Sequence, residues 1–185
     1  RAASAAYLVD GLATLEEVSA FEAALGAPCA AALHLEVTSE ALSARLPLRD
    51  GECWDAFDEL ERELDDAAVV ARHASFEGAA APLLRSLAAE GRLRSVSVTP
   101  PSEVVLSQAM GALGGVGSAS GSFALAPPSV VLVLGGAGSG KASLCGQLAS
   151  RLGCTYLRMA SLPMEAAAGG AAAGLGAADA RSAGT

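Results

Sequence analysis

Aromatic side chains are scarce in this chain of 185 residues: one Trp, two Tyr and four Phe make up 4% of it. A core without large rings has to be assembled from smaller pieces, and the 52% hydrophobic content supplies them as Ala, Leu and Val. Positive charge is short too. Twelve Lys and Arg stand against twenty Asp and Glu, giving a net charge of −8 and a pI near 4.7. Nucleic-acid surfaces need clustered Lys and Arg, so the balance argues against a nucleic-acid surface, and no polyanion or anionic membrane is expected as a partner. No apolar run reaches the roughly 18 residues that span a bilayer, and no signal peptide is visible, so a soluble, cytoplasmic protein is expected. The four cysteines, Cys29, Cys53, Cys145 and Cys154, show neither C-x-x-C pairing nor a His at zinc spacing. They read as reduced, intracellular thiols rather than a disulfide framework or a metal site.

Glycine, by contrast, is concentrated where it carries chemistry. The apolar run Val130-Val131-Leu132-Val133-Leu134 enters Gly135-Gly136-Ala137-Gly138-Ser139-Gly140-Lys141-Ala142-Ser143. Without Cβ atoms the chain can turn so that successive N–H groups point at one anion, and a helix over 140–152 adds its positive N-terminal end. Lys141 supplies an ammonium for β- and γ-phosphates, and a hydroxyl just beyond it would complete a Mg²⁺ shell. The strict pattern G-x-x-x-x-G-K-S/T runs from Gly135 to Lys141 but meets Ala142, with Ser143 one position later. The plain alternative is a Gly-rich turn between a strand and a helix. Strand, lysine and helix in the required order favour the phosphate loop.

Around this motif, strands are expected at 7–10, 31–37, 94–98, 130–134 and 154–158. Thr14-Leu15-Glu16-Glu17 has capping-box spacing and Gly26 suits a C-cap, which predicts a helix over 15–25. A helix over 54–77 follows from apolar positions at Trp54, Phe57, Leu60, Leu64, Ala67, Val70 and Phe76, with Pro82 opening another that ends at Gly91. Alternating strands and helices imply parallel pairing with right-handed crossovers. Residues 114–128 have linker composition, and 165–185 are too poor in large apolar residues to bury much, so that tail is expected to be disordered or weakly helical. His34, in a strand, reads as a structural or surface imidazole, and His73 is isolated from any nucleophile in the sequence.

The run from Gly135 to Cys145, followed by Leu152-Gly153-Cys154-Thr155-Tyr156-Leu157, resembles the opening of the adenylate kinase family of nucleoside monophosphate kinases, typically written G-G-P-G-S-G-K-G-T-Q-C. That pattern has a small residue between the Lys and the hydroxyl, which accounts for Ala142 and Ser143. The resemblance continues out of order. Tyr7-Leu8-Val9-Asp10-Gly11 is similar to the family's later hydrophobic-Asp-Gly strand, residues 31–37 to the next strand, 81–98 to its helix-turn-strand near the C-terminal end, and 104–113 to its last helix. Residues 1–113 thus resemble the C-terminal half of one such domain and 129–164 the N-terminal part of another. An excerpt of a tandem protein, for which an Arg at position 1 speaks, and a circular permutation would both give this order. In fold, the resemblance implies a three-layer, P-loop NTPase-like α/β core with a five-stranded parallel sheet, in split or permuted order.

In function, the resemblance implies ATP and Mg²⁺ as cofactors. Residues Gly136, Ala137, Gly138, Ser139, Gly140, Lys141, Ala142 and Ser143 would hold the phosphates, Ser143 and Asp10 the metal, and Lys141, Arg72 and Arg62 the transferring group. The monophosphate side departs from the family. Leu12-Ala13-Thr14 replaces its Phe-Pro-Arg, and Met159-Ala160-Ser161 and Met164 stand where Thr-Gly-Asp and an arginine belong. Arg62-Glu63-Leu64-Asp65-Asp66 approximates the lid's Arg-x-Asp-Asp, and Arg72 the later arginine, amid acidic residues that repel triphosphate. The expectation is an ATP-binding kinase-like domain of a larger protein with phosphoryl transfer reduced or lost. Its alternatives are an active nucleoside monophosphate kinase and a structural module among other subunits of a large assembly such as a ciliary axoneme.

Overall fold

A computed structural model describes residues 6–45, 66–114 and 129–159. Five strands form one sheet: β1 (Ala6–Asp10), β2 (Ala31–Glu36), β3 (Leu93–Ser97), β4 (Ser129–Leu134) and β5 (Thr155–Arg158). Their order is β3-β2-β4-β1-β5 and every pairing is parallel. β4 lies at the centre, with Leu132 opposite both Val9 of β1 and Ala32 of β2. Strands from both sides of residues 115–128 therefore share one sheet. All carboxyl ends lie along one edge.

The helices are α1 (Leu15–Leu25), α2 (Ser39–Arg45), α3 (Asp66–Ala89), α4 (Ser102–Leu113) and α5 (Lys141–Leu152). Alternating side chains of β4 serve two cores. Val131 and Val133 join Leu8, Leu33 and Leu35 against α4 and α5, while Val130, Leu132 and Leu134 join Val9 and Ala32 against α1 and much of α3. Strands clad on both faces explain why β4, buried along all six residues, reads as an unbroken apolar run. Each fully buried leucine here, such as Leu33 or Leu132, contributes about 1.5–3 kcal/mol.

Helix α1 begins as its capping box predicts: Thr14 Oγ1 accepts from Glu17 N at 3.2 Å, and Glu17 Oε2 accepts from Thr14 N at 3.0 Å. It ends at Gly26 in the left-handed conformation, φ 70°.

The third helix corrects two expectations. It does not stop for a second helix at Pro82; α3 runs unbroken through it from Asp66 to Ala89. An interior proline forfeits one backbone bond and costs about 3 kcal/mol. Leu83 and Leu87, each 1% exposed, together return more than that by burial, so packing holds the helix through the proline. The buried face also differs in phase. Ala67 is exposed and Val70 half-buried, whereas Val69 and His73, one turn apart, are the buried pair. Val69 packs in the core under α4 and α5, while Phe76, Leu83 and Leu87 pack in the opposite core. Helix α3 thus passes from one core to the other, and His73 lies at the passage. The segments at 46–65, 115–128 and 160–185, including Trp54, Arg62, the Gly/Ser/Pro linker and the Ala/Gly tail, lie outside the described residues.

Candidate functional site

Strand β4 delivers Gly135 to the carboxyl edge of the sheet. The chain then turns through Gly138 and Gly140, whose φ values of 72° and 79° lie in the left-handed region that side chains disfavour. Gly140 is the N-cap of α5 and offers no side-chain cap, and no acidic residue occupies the first turn. The N-terminal amides of α5 therefore keep their partial positive charge. The side chain of Lys141 is half-buried and folds back so that Nζ donates to Gly136 O at 2.9 Å. Ser139 N donates to the same carbonyl at 3.3 Å. Ser139 itself is 2% exposed, and its Oγ has no hydrogen-bond partner.

Two helices pack closely on the loop. A Cβ on Gly138 would stand 2.4 Å from Leu42 Cδ1 of α2, and one on Gly136 would stand 2.1 Å from His73 Nδ1 of α3. Both helices press on glycine backbone, so the turn is fixed by packing as well as by torsion. His73 is 4% exposed and neither ring nitrogen has a hydrogen-bond partner. Its Nε2 stands 3.4 Å from Glu77 Oε1, a distance of ionic attraction for a protonated ring. His34 belongs to the same cluster. Its Nδ1 lies 3.7 Å from Glu36 Oε1, and burial lowers its proton affinity while Glu36 and Glu77 oppose and His73 adds to the lowering.

Beside the loop, Asp10 closes β1 and is 6% exposed. Sheet register sets it opposite Val133 of β4 and Arg158 of β5. Tyr156 Oη donates to Asp10 Oδ2 at 3.2 Å and accepts from Arg158 Nε at 3.2 Å, with the guanidinium 5.9 Å from the ring centre. Burial pushes the Tyr156 hydroxyl well above its ordinary range, so it remains a donor. Beneath lies Cys145, fully buried in α5. Burial drives its thiol up, Asp10 drives it further, and Lys141 and Arg158 oppose, so those three charges act on one small region.

Lys141, the loop residues and Asp10 thus come together at the carboxyl edge, where parallel α/β sheets bind ligands. Ser143 sits in the first turn of α5, exposed, with its Oγ accepting from Gln147 Nε2 at 3.4 Å. Arg72 is exposed, whereas its neighbour His73 meets the loop at Gly136, as Val69 of the same helix does at Gly138. Arg62 lies outside the described residues. Three residues escaped the sequence: His73, Tyr156 and Arg158. The signal for His73 was its one-turn spacing from Val69, and for Arg158 its two-residue spacing from Tyr156 at a strand end beside Asp10.

Among the described residues, no three of His, Cys, Asp and Glu converge as a metal centre. Cys29, Cys145 and Cys154 are free thiols. No helix of the described residues is long and apolar enough to cross a membrane. Comparison with protein-family models, with curated proteins and with solved structures finds no match to this chain.

Proposed function

We propose that the chain is an adenylate-kinase-like nucleotide-binding domain of a larger protein, with a P-loop NTPase-like core that holds the phosphates of ATP between Gly135 and Ser143. The observation that carries this reading is the uncapped N-terminus of α5 behind a glycine turn, with the buried, unpartnered Ser139 Oγ and the Lys141 ammonium inside the same loop. These groups fit a phosphate: amides, a hydroxyl and one cation lie within one short loop. Ser143 and Asp10 would hold Mg²⁺, which keeps most of its water and needs few protein oxygens. Bound there, the metal would neutralise charge on the phosphates.

The chain's own residues bind and orient more than they transfer. Lys141 is the single lysine of the chain, and exchanging its bond to Gly136 O for a phosphate oxygen would bring its charge to the ligand. Tyr156 holds Asp10 in a fixed direction from β5. Phosphoryl transfer needs further cations around the moving group, and Arg72 points to solvent. Transfer to a nucleoside monophosphate is accordingly reduced or lost in this reading.

One observation favours the active alternative: β1 and β4 share a sheet, so Asp10 and Lys141 serve one edge rather than two separate domains. The same pairing suits a permuted order and equally an excerpt of a tandem protein whose two pieces close into one sheet. Calorimetric titration with MgATP tests binding. Lys141→Ala should weaken it about 10–100-fold, the worth of one charge-assisted contact. Absence of binding by the unaltered chain would leave the structural module, in a large assembly, as the better reading. A coupled assay for ADP from ATP plus AMP separates the other two, since sustained turnover defeats the degenerate reading.

A further inference from the structure

Buried polar atoms without partners are uncommon, and each one in a native fold asks for an explanation. Among the described residues the buried side-chain atoms left without a hydrogen bond are His73 Nδ1, His73 Nε2 and Ser139 Oγ. They belong to one place. Ser139 is within the glycine loop, and His73 Nδ1 is seated on Gly136, two residues from Gly138 and on the residue whose carbonyl holds Lys141. Leaving such an atom dry costs about 1–3 kcal/mol, so a ligand that satisfies it recovers that energy on binding.

We propose that His73 is a second cationic ligand of the anion held by the loop, its imidazolium donating to a phosphate oxygen beside the Lys141 ammonium. The inference rests on the phosphate-loop reading of Gly135 to Ser143 and deepens it. It assigns a residue to the charge that Arg72, exposed on the same helix, does not bring to the loop.

The groups around the ring suit a proton that arrives with the anion. From α3 itself, Glu77 Oε1 lies 3.4 Å from Nε2 and attracts a charged ring. From β2 comes His34, which the His73 ring opposes as a second positive charge, while Glu36, 3.7 Å from His34 Nδ1, favours the charge on His34. From the loop comes Lys141, whose ammonium is held on the carbonyl of the same Gly136 that His73 meets. Helix α2 contributes the apolar Leu42. Without an anion the cations oppose one another; with one, both are stabilised. Binding at this site is therefore linked to proton uptake.

The test uses inorganic tripolyphosphate without metal, titrated into the chain and into His73→Gln at about pH 6 and about pH 8, the two sides of the ordinary imidazole range. Comparing the two proteins at each pH cancels the titration of the ligand. The chain should bind about tenfold more tightly than His73→Gln at the lower pH and about equally at the higher one, and His34→Gln should keep the profile of the unaltered chain. A ratio independent of pH, including a uniform loss from disturbed packing, overturns the proposal and leaves the phosphate loop standing. Failure of the unaltered chain to bind overturns both. A readout that needs no folded His73 variant comes from the chain's two histidines, which give two imidazole signals in NMR, assigned through His34→Gln. Tripolyphosphate should move the His73 signal toward the protonated form at constant pH; an unmoved signal contradicts the proposal.

Discussion

Helices α1 and α5 both start at the carboxyl edge of the same sheet, yet their N-termini are finished in opposite ways. At α1, Thr14 and Glu17 exchange hydrogen bonds with each other's backbone, and Glu17 also accepts from Ala13 N at 2.8 Å. At α5, Gly140 supplies no cap, the first turn has no acidic residue, and the hydroxyl just before it, Ser139 Oγ, is buried without a hydrogen-bond partner. Helix α4 also lacks a side-chain cap, behind Pro101, but no glycine turn or lysine faces it. A closed N-terminus stabilises the fold by itself, while an open one with converging donors stores that stabilisation for a ligand. The contrast separates residues that hold the protein together from those that give it something to hold.

The harshest way to break the contrast is to crowd the loop. Gly136→Ala sets a methyl 2.1 Å from His73 Nδ1, so ring or loop must shift. Thermal unfolding should show a loss of about 1–3 kcal/mol, the usual cost of overpacking, and MgATP affinity should fall with it. Next comes closing the open helix as α1 is closed. At Gly140 a Cβ meets nothing within 4 Å, so Gly140→Asp fits sterically at φ 79° with a strain of about 1–2 kcal/mol. Its carboxylate should take the place of the phosphate, and titration should show MgATP binding weakened by more than about tenfold.

Opening the closed helix should do the reverse. Thr14→Ala removes the α1 cap and should cost about 1 kcal/mol in chemical denaturation while leaving nucleotide affinity unchanged. A gentler form of that experiment uses pH. Backbone donation from Ala13, then from Thr14, and the Thr14 side chain hold Glu17 below its ordinary 4.5, against a smaller opposing effect of burial. Its charged form is therefore favoured by folding, and the sign follows: the contribution is complete above 4.5 and is lost as pH falls through the lowered value. Stability measured across that acid range should fall less steeply in Glu17→Gln than in the unaltered chain.

The sequence made the closed helix more legible than the open site. Thr14 and Glu17 are local, three residues apart, and the capping box needs nothing distant to form. The apolar run into β4 was equally plain, because a strand buried on both faces has no polar residue to interrupt it. Phase in α3 was not legible. Ala67, Val70 and Phe76 suggested one apolar stripe, but the helix passes between two cores and buries Val69 and His73 where it crosses. Pro82 read as a boundary because local propensity disfavours it inside a helix; the burial of Leu83 and Leu87 that outweighs it comes from strands far away in sequence. For the same reason His73 and Arg158 went unread. Each gains its meaning from a partner on another element, Gly136 for one and the Asp10–Tyr156 pair for the other.

The central claim, that the open N-terminus of α5 receives a phosphate brought into contact with Lys141, has a direct measurement. Because Lys141 is the only lysine, an amine-acetylating reagent followed by peptide mass spectrometry reads its side chain without interference from any other. Lys141 should acetylate several-fold more slowly in saturating MgATP than without nucleotide, with the terminal amine unaffected as the internal reference; equal rates at Lys141 in the two conditions would contradict the account.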